Sequence, residues 1–175
     1  MTFARAPRAK KAEPLTPEAL EEAALSYLNR FDCSVGKLRT HLASLIRRRA
    51  GDRTLAAHAE SLLERYRASG LLDDTRFAKN LAERLRGRGA SRRMVVQKLR
   101  ARGISRDVAE TAARSSPNSD LDSARAFARR RRVGPHRPEA ERAANRRRDL
   151  AALARAGFDH DVALRALGFG TEEDF

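Results

Sequence analysis

Leu99-Arg100-Ala101-Arg102-Gly103-Ile104-Ser105-Arg106-Asp107-Val108-Ala109 returns 54 residues later as Leu153-Ala154-Arg155-Ala156-Gly157-Phe158-Asp159-His160-Asp161-Val162-Ala163. Each copy reads as a helix stopped by glycine, an apolar residue folded back on its last turn, and a polar residue capping the next helix. A third occurrence of the junction, Gly70-Leu71-Leu72-Asp73, stands upstream. A helical segment repeated at this interval predicts an array of small helical units that share core with their neighbours.

Working outward, helix signals recur along the chain. Thr16 and Pro17 open a helix whose apolar face is Leu20, Ala24, Tyr27, Leu28 and Phe31. Ser34 is placed to cap a second helix carrying Leu38, Leu42, Leu45 and Ile46, which Arg47, Arg48 and Arg49 close at the negative end of its dipole. Gly51-Asp52 turns into a third helix with Leu55, Ala59, Leu62, Leu63 and Tyr66 inward. The same plan follows twice more. Asp73 or Asp74 caps a helix with Phe77, Ala78, Leu81 and Leu85, Ser91 caps one with Val95, Val96 and Leu99, and Ser105 leads into Val108, Ala109 and Ala112. After the linker Ser115–Ser119, a helix from Asp120 carries Leu121, Ala124, Phe127 and Ala128. Val133–Pro138 interrupts, and a long helix from Glu139 reaches the Gly157 junction and a last helix with Val162, Leu164 and Leu167.

The expected fold is therefore all-α: three tandem three-helix repeats, nine helices, forming an elongated, curved array. The boundaries are a disordered basic tail over 1–14, repeats over 15–70, 71–116 and 120–169, and a C-terminal tail over 170–175. Few aromatics and no alternating β-branched stretch argue against any sheet.

Composition narrows the function classes. The formal net charge is +14, and 32 of the 37 basic residues are arginine. Such an excess fits an anionic partner: nucleic acid, an acidic protein surface, or both together. One cysteine, Cys33, and four histidines without a His-x-x-x-His spacing leave no zinc constellation. Phosphate-loop and nucleophile-elbow motifs are missing too, so the chain reads as a non-enzyme without a cofactor. With no signal-peptide core and no apolar run of spanning length, it is expected to be cytoplasmic and to have no membrane partner. Asp73 and Asp74 are read as helix-capping carboxylates rather than an acid–base pair, each cap worth on the order of 1 kcal/mol.

Arg84 to Arg106 is the most suggestive binding stretch, because it contains no acidic residue. Arg84, Arg86, Arg88, Arg92, Arg93, Arg100 and Arg102 are its candidate contacts, with Lys98 and Arg106 in the same run. Arg93, Gln97 and Arg100 lie opposite Val95 and Leu99, which predicts a cationic ridge in solvent. A second cluster is Arg129 to Arg132, with Arg130, Arg131 and Arg132 as candidates, flanked by Arg146 to Arg148. Phe31, Phe77, Phe127 and Phe158 are assigned to core or junction positions. That leaves phosphate contact rather than base stacking as the expected mode.

Ser34-x-x-x-Leu38-x-x-x-Leu42, Gly70-Leu71-Leu72-Asp73-Asp74-x-x-Phe77-Ala78 and Gly89-x-Ser91-x-x-x-Val95-x-x-x-Leu99-x-x-x-Gly103-Ile104 together resemble the RecX family of regulatory proteins. The resemblance covers roughly Leu15 to Phe169, and its most specific part is the middle repeat. It implies tandem three-helix repeats and a modulator of the RecA recombinase that binds the RecA–single-stranded DNA filament and inhibits ATPase, strand exchange and coprotease activities; the chain itself is expected to be a monomer. Gly36, inside a helix, and the arginine-rich stretch Arg129 to Pro138 depart from the family pattern. The alternative reading is a basic helix-turn-helix-like protein that binds DNA directly.

Overall fold

The computed structural model describes residues 14–49 and 52–169. Among them are nine α-helices, one short 3-10 turn and no strand. They divide into two compact units.

The first unit holds α1 (Pro17–Arg30), α2 (Val35–Arg48) beyond its first turn, and α3 (Arg53–Ala68). Thr16 accepts from the Ala19 N–H and Asp52 from the Leu55 N–H, so α1 and α3 begin where a side-chain oxygen satisfies an orphan donor. Leu20 and Ala24 of α1, Leu38 and Leu42 of α2, and Leu62 and Leu63 of α3 are almost fully buried. Each leucine contributes about 1.5–3 kcal/mol by leaving water. Phe31, expected inward, is 54% exposed and rests against Tyr27 with ring centroids 5.0 Å apart. It lies one residue past the end of α1, in extended backbone that turns its ring off the helix face. The junction at Gly70 also differs from the expected form. Leu72, not Leu71, is buried, and its N–H reaches back to the Tyr66 carbonyl.

The second unit holds Ser34–Gly36, α4 (Asp74–Gly87), α5 (Arg92–Arg100), α6 (Arg106–Arg114), α7 (Asp120–Arg131), a 3-10 turn (Gly134–His136), α8 (Glu139–Arg155) and α9 (His160–Ala166). Two clusters form its core. One joins Phe77, Leu81, Val95, Leu99, Ile104 and Ala109 across α4–α6. The other joins Ala124, Phe127, Leu153, Phe158 and Leu167 across α7–α9. The second and third sequence repeats thus share one body.

Asp73, Ser91 and Ser105 cap α4, α5 and α6 through their side chains. At the start of α7 the cap is Ser119, in a reciprocal box with Asp122. Asp159 occupies the cap position of α9 without a side-chain bond. The folded-back residues Ile104 and Phe158 are buried as the repeat predicts.

One bond occurs twice in this unit at matching places. The Ser34 hydroxyl donates to the carbonyl of Arg102, and the Ser91 hydroxyl to that of Ala156 at 2.6 Å. Each acceptor directly precedes a junction glycine, Gly103 or Gly157. Asp74 adds to the first of these places by accepting from the Val35 N–H at 2.9 Å. Gly36 has its reason here. A Cβ on it would lie 2.8 Å from the Gly103 Cα, so close backbone approach offsets the roughly 1 kcal/mol that glycine costs inside a helix. The basic tail (1–14, apart from Pro14), the Gly51 turn and the C-terminal tail (170–175) lie outside the described residues.

Candidate anion-binding site

Gly87 ends α4, and the turn Arg88-Gly89-Ala90 leads into α5. That turn presses on the start of the last turns of α7: a Cβ on Gly89 would lie 2.5 Å from the Phe127 nitrogen. Arg88 is thereby brought beside Arg130 and Arg131, more than forty positions away in sequence. Together with α8 these elements enclose a cleft of about 720 Å³. Arg88 comes from the turn, Lys98 from α5, and Arg130 and Arg131 from α7; Arg148 and Arg155 face them from α8, with Arg137 beside the 3-10 turn.

Asp149 is the only carboxylate among the lining residues. It is 1% exposed and already fully engaged. Its two oxygens accept from the Arg137 guanidinium at 3.0 Å each, and one also accepts from the Gly134 N–H at 2.9 Å. Burial by itself would raise this carboxyl. The Arg137 fork and the Gly134 N–H outweigh burial and hold it below the ordinary carboxylate range, so the group is ionised at neutral pH. Arg142 donates to the carbonyls of Arg137 and Pro135 and ties the same loop to α8. The remaining six cations of the cleft form no salt bridge among the described residues. Arg130 and Arg131 lie over the ring of buried Phe127, 6.0 and 5.9 Å from its centroid.

Three of the candidate contacts, Arg88, Arg130 and Arg131, converge in this cleft. Arg86 does not belong to any binding surface. It is 1% exposed, donating to Asp120 at 2.5 Å, to the Asn118 carbonyl at 2.7 Å and to the Ala90 carbonyl at 3.4 Å. The physical reason is helical phase. Arg86 falls on the inward stripe with Ala78 and Ala82, and its guanidinium satisfies the linker that starts α7. Arg92 pairs with the other oxygen of Asp120 at 3.2 Å. Arg92 and Arg93 line a separate recess of about 290 Å³ that also holds Asp120 and Asp159. Arg84, Arg100 and Arg132 are exposed outside the cleft, and half-buried Arg102 donates to the Lys98 carbonyl.

Lys98, Arg137, Arg148 and Arg155 are the cleft residues that the sequence candidates lacked. Lys98, Arg137 and Arg148 stood inside noted basic runs; Arg155 had no sequence signal separating it from other surface arginines. No group of three or more His, Cys, Asp or Glu that could hold a metal occurs among the described residues. No helix there is long and apolar enough to cross a membrane.

The family model described as the second three-helix domain of RecX matches residues 73–112, the span of α4 to α6. Regulatory protein RecX of Myxococcus xanthus is 37% identical over 166 residues, covering 90% of this chain and 89% of its own length. The chain belongs to the RecX family. Two further RecX proteins, from Halorhodospira halophila and Thermobifida fusca, are 32% and 30% identical over 90% and 91% of this chain, and over 91% and 87% of their own lengths. Membership thus covers nearly the whole chain, both compact units included, and the RecX relatives are named as regulatory proteins.

Proposed function

We propose that this RecX-family protein binds the RecA–single-stranded DNA filament as a cytoplasmic monomer and inhibits its ATPase, strand-exchange and coprotease activities. Near-full-length similarity to regulatory RecX proteins supports the reading. Within the molecule, the observation that carries it is the cationic cleft, whose only carboxylate is consumed internally. A surface kept positive in this way suits a polyanionic nucleoprotein better than a neutral partner. Arg84, Arg92, Arg93, Arg100, Arg102 and Arg132, outside the cleft, are proposed to meet acidic recombinase surface. Inhibition follows from blocking entry of a second DNA and from restricting the subunit motion that ATP turnover needs.

The helix-turn-helix alternative is disfavoured for α6 as its recognition helix. That helix carries Asp107 and Glu110 among its arginines, and Glu110 is bound by Arg106 at 2.7 Å. Those carboxylates face phosphate with the wrong sign.

The direct test is ATP hydrolysis by the cognate recombinase on single-stranded DNA with this protein at sub-stoichiometric ratios. Hydrolysis is expected to fall steadily with added protein; an unchanged rate at every ratio overturns the reading.

A further inference from the structure

We propose that the cleft between the α4–α5 turn, α7 and α8 holds the sugar–phosphate backbone of one nucleic-acid strand, without reading its bases and without the recombinase. This goes beyond filament binding, because it assigns DNA contact to one surface and makes that contact a property of the protein alone.

Four observations carry it. First, size selects the ligand. A cleft of about 720 Å³ has room for a short run of sugar–phosphate backbone, whereas a B-form duplex, much wider than its own ~12 Å major groove, does not fit inside it. Second, charge selects it. Arg88, Lys98, Arg130, Arg131, Arg148 and Arg155 reach the space from four elements, and no carboxylate in it is left to compete. Third, five of those six are arginines. Forks converging from several sides match a tetrahedral phosphate with two open oxygens, whereas a planar carboxylate takes a single fork edge-on. Fourth, the cleft offers no stacking platform. Its one aromatic, Phe127, is buried beneath two guanidinium groups, so bases gain nothing there and sequence preference is absent.

The walls are set before any ligand arrives. Arg86 ties the end of α4 to the start of α7, and Asp149 ties α8 to the 3-10 turn. The six cations sit on fixed elements, and an anion bound among them relieves their mutual repulsion while ordering their exposed side chains.

The test uses the full chain and a fluorescent single-stranded oligothymidylate, read by anisotropy across a salt series without recombinase. Two triple variants remove equal charge: Arg88→Gln with Arg130→Gln and Arg148→Gln in the cleft, and Arg114→Gln with Arg125→Gln and Arg165→Gln elsewhere on the same unit. Circular dichroism checks that both remain helical; should the cleft triple lose helix, the single variants Arg88→Gln and Arg130→Gln replace it. The cleft triple is expected to lose about tenfold or more in affinity and to flatten the slope of log affinity against log salt by about 2, near 0.7 per lost phosphate contact. The control triple should stay within about twofold of the parent at matched salt. Equal losses in both variants overturn the proposal, since a diffuse field would then explain binding. Duplex bound as tightly as single strand, or polyglutamate displacing the strand at equal charge concentration, overturns it as well. Because recombinase is absent, failure here leaves the ATPase result standing, and the reverse holds.

Discussion

The two compact units use arginine in opposite ways. Over residues 14–33, 37–49 and 52–72 of the first unit, nine Lys or Arg meet seven Asp or Glu; over residues 34–36 and 73–169 of the second, twenty-four meet only twelve. In the first unit Arg39 forks onto Glu60, Arg65 meets Glu21, and Arg67 meets Glu64, all at exposed positions. Such pairs add at most about 1 kcal/mol each and leave a nearly neutral surface. In the second unit buried Arg86 holds Asp120, and buried Asp149 is held by half-buried Arg137. The six cations of the cleft beside Asp149 form no salt bridge among the described residues. Arginine is therefore solvation in one unit, and in the other it is both an internal staple and an external charge.

Arg86 and Arg88, two residues apart, give the sharpest way to break that distinction. Arg86→Ala should destabilise the second unit by about 3 kcal/mol, because Asn118, Ala90 and Asp120 lose a buried donor. Arg88→Ala should change stability by no more than about 0.5 kcal/mol, while weakening anion binding. Urea unfolding of both variants measures the difference; comparable losses would mean that Arg88 is structural too.

The junction glycines give the next largest contrast. Gly103 has φ +81° and its Cβ would lie 2.8 Å from the Gly36 Cα, whereas Gly70 has φ +73° with nothing within 4 Å. Gly103→Ala should cost about 3 kcal/mol, left-handed strain plus overpacking, and Gly70→Ala about 1 kcal/mol from strain alone. Thermal unfolding reads both, and equal costs would remove close approach from the account of Gly103.

Asp149 adds a pH dependence. Its native carboxyl is held below its unfolded value, so its contribution is full at neutral pH and is lost as pH falls through the native value. The stability gap between the parent and Asp149→Asn should be widest near pH 7 and close below about pH 4. A gap that stays constant on acidification would show that shape, not charge, makes Asp149 matter. Ser91→Ala, which removes a cap and the bond to the Ala156 carbonyl, should cost about 1 kcal/mol. A neutral outcome in chemical denaturation would mean that water replaces the hydroxyl.

Helices, caps and the repeated junction were legible in the sequence because each depends on residues within one or two turns. Thr16, Asp52, Asp73, Ser91 and Ser105 act as local chemistry requires. Errors arose where a residue's role depended on distant backbone. Phe31, on the apolar stripe, turns outward, and Leu72 rather than Leu71 folds back. Gly36 looked like a weak helix former until Gly103 stood against it.

By itself, then, the sequence determined an all-helical repeat protein with an excess of arginine, since helix propensity, capping and net charge are properties of short segments and of composition. Only the tertiary structure decided which arginines matter and how. Arg86 is buried and Arg88 is not because of the phase of α4 against the linker to α7. Arg88, Lys98, Arg130, Arg148 and Arg155 form one cleft because a turn, two helices and a long third helix pack around shared core, a relation between segments that no local pattern encodes.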